Sequence, residues 1–134
     1  MKDFNAVIKH FNRSMLIGRW YRGGHQASGE HFNEYAEMSK NGSFEFTFIS
    51  VDKQGTEIEK VIEVGDWGLV GDIHFTMTKS EFFENNHYPA DLLNEDNYHA
   101  YKILQLNSQI FEYQHVVTNE VYILRRVIDN IGHC

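Results

Sequence analysis

Three polar side chains fall in phase with large apolar residues on strand-like runs of the chain. Arg22 stands two residues after Trp20, His115 stands two residues after Tyr113, and Glu34 lies at even spacing from the apolar residues of its own run. Because alternate residues of a strand share a face, these side chains and the Tyr113 hydroxyl are predicted to point into an apolar interior. A few polar groups inside an apolar cavity are typical of a site that binds and orients a small molecule.

The same pattern has a second interpretation, which the sequence leaves open at equal weight. Charged groups in a protein interior are tolerated when they are paired, so these residues could form a satisfied internal network. The two interpretations can coincide in one barrel.

Two apolar residues complete the predicted ligand-binding set. Phe46 is the middle of three phenylalanines spaced two apart, and Met77 ends a run in which apolar residues alternate with His74 and two threonines. We expect the apolar face of each run to be buried and His74 to be exposed. The full set is Arg22, Glu34, Phe46, Met77, Tyr113 and His115.

Two other functions stay open beside binding. A histidine near a carboxylate and tyrosines can carry general acid–base catalysis, and His115 and Glu34 would then act as the pair in an isomerase- or lyase-type enzyme. The interior could instead be filled by side chains, giving a solid-core structural or interaction module. No nucleophile elbow, phosphate-binding glycine loop or Cys-x-x-Cys pair is present in the sequence, so we favour binding over catalysis.

Composition narrows the partners. The eight histidines show no compact ligand spacing, and we predict neither a metal nor a cofactor. The formal net charge of −7 argues against binding to nucleic acid or to an anionic membrane surface. The expected partner is a small molecule, with a homodimer left open.

No apolar run approaches the roughly 20 residues of a membrane span, and the start of the chain lacks a secretory signal, so we expect a cytoplasmic location.

The chain is expected to form one domain, 1–134, with a short helix over about 3–14 and a β-barrel over about 16–128. Apolar residues at steps of three and four indicate the helix, after which the period changes to two. A long loop is expected at 80–96, and Gly65-Asp66 is either a bulge or a turn. Eight to nine strands joined by short turns indicate an all-β, antiparallel, up-and-down barrel, since an open sheet would leave two edges unpaired.

Three separated points of the sequence resemble the lipocalin-like (calycin) family, and the small bacterial type most closely. Gly18-Arg19-Trp20 is similar to the family's Gly-x-Trp on the first strand, and Tyr98 and Tyr101 match the two tyrosines of its Thr-Asp-Tyr-x-x-Tyr motif. Arg125 or Arg126 lies where the family has an arginine packed over the tryptophan. The resemblance implies that Gly18, Trp20 and Arg126 form the closed, structural end of the barrel, so that function lies at the other end.

Overall fold

A computed structural model describes residues 10–25 and 29–128 of the chain, and these residues form nine β-strands. All strand pairings are antiparallel. The strands are β1 (Gly18–His25), β2 (His31–Met38), β3 (Ser43–Val51), β4 (Glu57–Val70), β5 (Ile73–Phe83), β6 (Asn86–Pro89), β7 (Tyr98–Leu106), β8 (Ile110–His115) and β9 (Val121–Arg126).

Eight of the strands close into a barrel. Each pairs with its neighbour in the order β4-β3-β2-β1-β9-β8-β7-β5, and the β4–β5 pairing completes the ring. The ninth strand, β6, pairs only with the end of β5 and lies outside the ring. The all-β antiparallel barrel predicted from the sequence is therefore confirmed.

The β4–β5 pairing has a bulge opposite Gly65, and both strands continue through it. The β4–β5 register shifts between Val64 and Gly65, because Val64 pairs with Ser80 while Gly65 pairs with Thr78. Lys79 is the extra residue on β5. The alternative of a turn at this position is excluded by the unbroken strand β4.

Helical structure is confined to two short 3-10 turns within the described residues, Arg13–Met15 and Glu95–Asn97. Most of the predicted helix at 3–14 lies outside the described residues, and the described part contains only the start of the first of these turns, so that helix is not confirmed. No helix in the described part of the chain is long and apolar enough to cross a membrane.

The prediction of one loop over 80–96 is wrong in its first half. β5 continues to Phe83, the chain reverses through Glu84 and Asn85 in left-handed backbone conformations (φ 50° and 65°), and β6 follows. Asparagine adopts this conformation more readily than most residues. The sequence pattern alone did not predict a hairpin at this position.

The predicted orientation of β5 is also wrong. His74, Thr76 and Thr78 are buried at 1%, 2% and 5% exposure, whereas Phe75 is 41% exposed. The face of β5 is set by its partner, because Trp67 is buried and pairs with Thr76. Phe75 instead covers the outer surface of Gly68, where a Cβ would collide with its ring.

The closed end of the barrel is packed around Trp20, which is fully buried. Its indole N–H donates to the Leu16 carbonyl at 3.0 Å, and its ring lies 5.5 Å from that of Phe111. Burial of such large rings supplies most of the stability of a small domain.

Arg126 links the last strand, β9, to the closed end of the barrel. Its guanidinium lies 4.0 Å from the centre of the Trp20 ring and donates to the carbonyls of Ile17 (2.6 Å) and Met15 (2.5 Å). Gly18 has φ +125°, and a Cβ there would collide with the guanidinium. The glycine, the tryptophan and the arginine of the three-point pattern thus form one packed unit.

Candidate functional site

A cavity of about 290 Å³ lies inside the barrel beyond the Trp20 end. Residues from all eight barrel strands line it, and its polar walls include Arg22, Glu34, Glu63 and Thr78. A larger groove of about 630 Å³ lies outside the barrel against the β4 and β5 ends. That groove is an open surface bordered by exposed charged side chains, so the interior cavity is the stronger candidate for a ligand site.

Arg22 and Glu34 form a two-pronged ion pair on the cavity wall. Arg22 Nε donates to Glu34 Oε2 at 2.9 Å, and Nη2 donates to Oε1 at 3.1 Å. They are directly opposite in the β1–β2 register, which brings the two side chains together. The hydrogen bond to Glu34 raises the pKa of Arg22, with burial opposing. Arg22 therefore stays charged, and the Glu34 carboxylate balances that charge.

Three tyrosines form an aromatic wall beside this pair, and the Arg22 guanidinium lies 5.1 Å from the centre of the Tyr122 ring. The ring of Tyr113 lies 4.9 Å from that of Tyr101 and 5.3 Å from that of Tyr122. Burial raises the pKa of both Tyr101 and Tyr113, so both hydroxyls keep their protons at neutral pH. Neither hydroxyl hydrogen-bonds to another described residue, which leaves two donors available on the cavity wall.

Glu63 also lines the cavity, although it was not among the predicted site residues. It lies on β4 and accepts a hydrogen bond from Thr78 Oγ1 at 3.2 Å. Burial raises the pKa of Glu63, the Thr78 hydrogen bond opposes this, and Glu81 adds to it. Within the described residues no cationic side chain forms an ion pair with Glu63.

Two histidines form a hydrogen-bonded pair at one side of the cavity. The backbone N–H groups of Val117 and Thr118 donate to His115 Nδ1 at 3.1 and 3.2 Å. His115 Nδ1 therefore holds no proton, and the neutral ring carries its proton on Nε2. That atom is 3.1 Å from His99 Nδ1, so His115 donates to His99, whose proton must then sit on Nε2.

The predicted site residues divide accordingly. Arg22, Glu34, Phe46 and Tyr113 line the cavity. His115 lies behind His99, which is the imidazole on the cavity wall. Burial lowers the pKa of His115, and the neighbouring His99 adds to that effect.

Met77 is the member of the set that the structure removes from the interior. It lies on the outward-facing side of β5, because β5 has the opposite orientation to the one expected, and it does not line the cavity.

His74 lies beneath the cavity among aromatic rings, although the sequence pattern placed it outside. It stacks on Tyr101 at 5.8 Å and meets Phe111 edge-on at 5.6 Å. Burial lowers the pKa of His74 to about 4, and hydrogen bonding to the Gly68 backbone opposes this. His74 Nδ1 and Thr76 Oγ1 have no hydrogen-bond partner among the described residues.

A metal site is not formed by the part of the chain that the structure describes. No group of three or more His, Cys, Asp or Glu side chains there could hold an ion.

No protein-family model matches the chain, and no curated protein matches it. Among solved structures, the chain is similar to a lipocalin-like protein from Bacteroides uniformis ATCC 8492, with a TM-score of 0.49 and 14% sequence identity. The match covers 84% of this chain and 99% of that one.

Proposed function

We propose that this lipocalin-like barrel binds a small, partly apolar molecule in its interior cavity. The observation that carries the proposal is a cavity of about 290 Å³ on which polar groups from several strands converge. At about 30 Å³ per water molecule in the liquid, that space corresponds to roughly ten waters. A ligand of about ten heavy atoms fits this size.

The lining suggests how such a ligand is oriented. Phe46 and Phe48 offer apolar surface, and their rings lie 6.4 Å apart. The Tyr101 and Tyr113 hydroxyls offer hydrogen-bond donors to a polar group of the ligand. The Arg22–Glu34 ion pair and the carboxyl group of Glu63 supply the charged part of the remaining wall. His115 does not contact the ligand in this arrangement; it holds the ring of His99, which lines the cavity, by a hydrogen bond.

The solid-core alternative expected no continuous cavity, and the barrel contains one. One of the three phenylalanines expected to fill the interior does so: Phe44, near the closed end, is 2% exposed. Phe46 and Phe48, farther along the same face of β3, border the cavity instead.

Binding is tested with small neutral aromatic probes, 2-phenylethanol and indole, in an NMR chemical-shift titration. Ala36 lines the cavity, and Ala36→Leu reduces its volume, so we expect the affinity for both probes to fall by roughly tenfold or more. Thr47→Leu, on the outer face of the adjacent strand β3, is the matched control and should leave the affinity unchanged. Absence of binding, or equal effects of the two substitutions, would overturn the proposal. Native mass spectrometry of the purified protein then identifies any ligand that it retains.

Acid–base catalysis is the second candidate, and the histidine pair is the observation that favours it. The fixed proton positions direct the Nε2–H of His99 away from His115, and His99 lines the cavity. His115 would hold the tautomer of His99, while Glu34 is occupied by Arg22. In this tautomer His99 Nε2–H would be the acid, donating to the carbonyl oxygen of an enolisable ketone such as phenylacetone while a base from the buffer removes the α-proton. In D₂O the native protein should then exchange the α-protons of the ketone faster than His99→Asn does. Equal rates would eliminate this role.

The cytoplasmic location expected from the sequence is part of this proposal. Fractionation of cells that express the protein is the measurement that checks it.

A further inference from the structure

We propose that the cavity selects a cation, a small primary amine on an aromatic or aliphatic body, with Glu63 as its counter-ion. This inference rests on the proposed function, since it names the chemical class of ligand for the same cavity. The proposal rests on the carboxylate of Glu63, which lies on the cavity wall and has no cationic partner among the described residues.

The charges that line the cavity do not cancel. Arg22 is the one Lys or Arg side chain lining the cavity among the described residues, and its guanidinium is bound by Glu34. Glu63 lines the wall as a second carboxyl group, and Glu120 lies at the rim. A ligand of positive charge would therefore balance the cavity, whereas a carboxylate ligand would add to an uncompensated negative charge.

Glu63 can accept further hydrogen bonds. Its only hydrogen bond within the described residues comes from Thr78, at 3.2 Å, so the carboxylate retains acceptor capacity for an ammonium group. Glu63 is partly buried, so its carboxylate loses part of its contact with water without gaining a cation, and a bound ammonium would offset the resulting cost in free energy. The attraction between the ammonium group and Glu63 would then add to the binding free energy of an amine.

Aromatic rings surround the same space. Phe46 is directly opposite Glu63 in the β3–β4 register, and Tyr101 lines the cavity with it. Ammonium groups are attracted to the faces of such rings at separations up to about 6 Å. A carboxylate and aromatic faces together distinguish an amine from a neutral alcohol of the same shape.

A carboxylate ligand bound to Arg22 is the alternative, and the structure disfavours it. Glu34 already accepts hydrogen bonds from both Nε and Nη2 of Arg22. An incoming carboxylate would compete with this pair while lying in the same cavity as Glu63. It is nevertheless retained as an outcome of the test.

The test compares three probes of nearly equal size, 2-phenylethylammonium, 2-phenylethanol and phenylacetate, by isothermal titration calorimetry at pH 7.5. We expect the amine to bind at least about tenfold more tightly than the alcohol, and phenylacetate to bind most weakly. In Glu63→Gln the preference for the amine over the alcohol should fall to less than about threefold, with the affinity for the alcohol retained. Glu45→Gln, at an exposed position on the outer face of β3, is the matched control and should retain the full preference.

The outcomes separate the two proposals. If the alcohol binds in the cavity as tightly as the amine, or if Glu63→Gln leaves the preference intact, the inference fails while the proposed function stands. Tighter binding of phenylacetate would also overturn the inference and would identify Arg22 as the recognition group. If none of the three probes binds, both proposals fail together.

Discussion

His74 is a titratable side chain held among aromatic rings with 1% of its surface exposed. Its pKa is lowered from 6.5 to about 4 by burial, so the folded state favours the neutral ring. Stability from this group is complete above the unfolded pKa of about 6.5 and is lost as the pH falls toward the folded pKa. The loss is up to about 3 kcal/mol at about 1.4 kcal/mol per pKa unit.

We expect His74→Phe to remove this acid sensitivity. Phenylalanine keeps the ring contacts with Tyr101 and Phe111 but loses the hydrogen bond to the Gly68 backbone, so the free energy of unfolding at pH 7.5 should fall by about 1–3 kcal/mol. Between pH 6.5 and 4, the variant should lose less stability than the native protein. Urea unfolding at several pH values measures this difference, and parallel stability curves for the two proteins would contradict it.

The polar residues of the cavity differ in how far the sequence could reveal them. Arg22 and Glu34 follow from alternation on two adjacent strands, and the structure places them in one ion pair. Glu63 and His99 were missed as lining residues, because their sequence neighbours do not show which face is inside. A carboxylate among other acidic residues is ordinarily read as part of a solvated face.

At the scale of the strand, β5 shows what alternation in the sequence cannot predict. Alternation gives the period of side chains on β5 but not which set faces the core. The apolar set that includes Phe75 and Met77 is the more hydrophobic, and yet it faces outward. The reason is long-range: Trp67 is buried on the inner face of β4, and the partner opposite it, Thr76, must then share that face.

Truncation of two phenylalanines tests the orientation of β5. Phe75 covers Gly68 on the outer surface, so Phe75→Ala should reduce the free energy of unfolding by about 1 kcal/mol. Phe111 is fully buried, and Phe111→Ala should cost about 3–5 kcal/mol, as core phenylalanines do. Urea denaturation gives both values. A cost for Phe75→Ala as large as that for Phe111→Ala would mean that Phe75 faces the core.

At the scale of the whole molecule, the barrel could be predicted from the sequence because the same signal, an alternating run followed by a short turn, occurs many times along the chain. Each short turn between alternating runs favours an antiparallel pair, and Trp20 and Arg126 come from the two strands whose pairing joins the ends of the chain. The β5–β6 hairpin was missed because it replaces one loop without changing the order of the barrel strands.

The junction between the first and last strands is the shortest pairing in the ring. β1 and β9 pair at Trp20 with Arg126 and at Tyr21 with Arg125, whereas β4 and β5 pair from Val61 to Val70. Beyond Tyr21 toward His25, β1 has no paired residue on β9. Local opening requires less free energy where fewer backbone hydrogen bonds must break together, so the ring should open first at this junction.

Native-state hydrogen exchange measured by NMR distinguishes the two places. We expect amides of β9 that face β1 to exchange at least about tenfold faster than the paired amides of β4 and β5. The Arg126 contacts at the closed end hold one side of the junction, so the faster exchange should lie on the side toward the cavity. Since that side borders Tyr122 and Arg22, the occupied cavity should slow the exchange there. Protection at the junction equal to that of β4 and β5 would show that the ring opens as one cooperative unit instead.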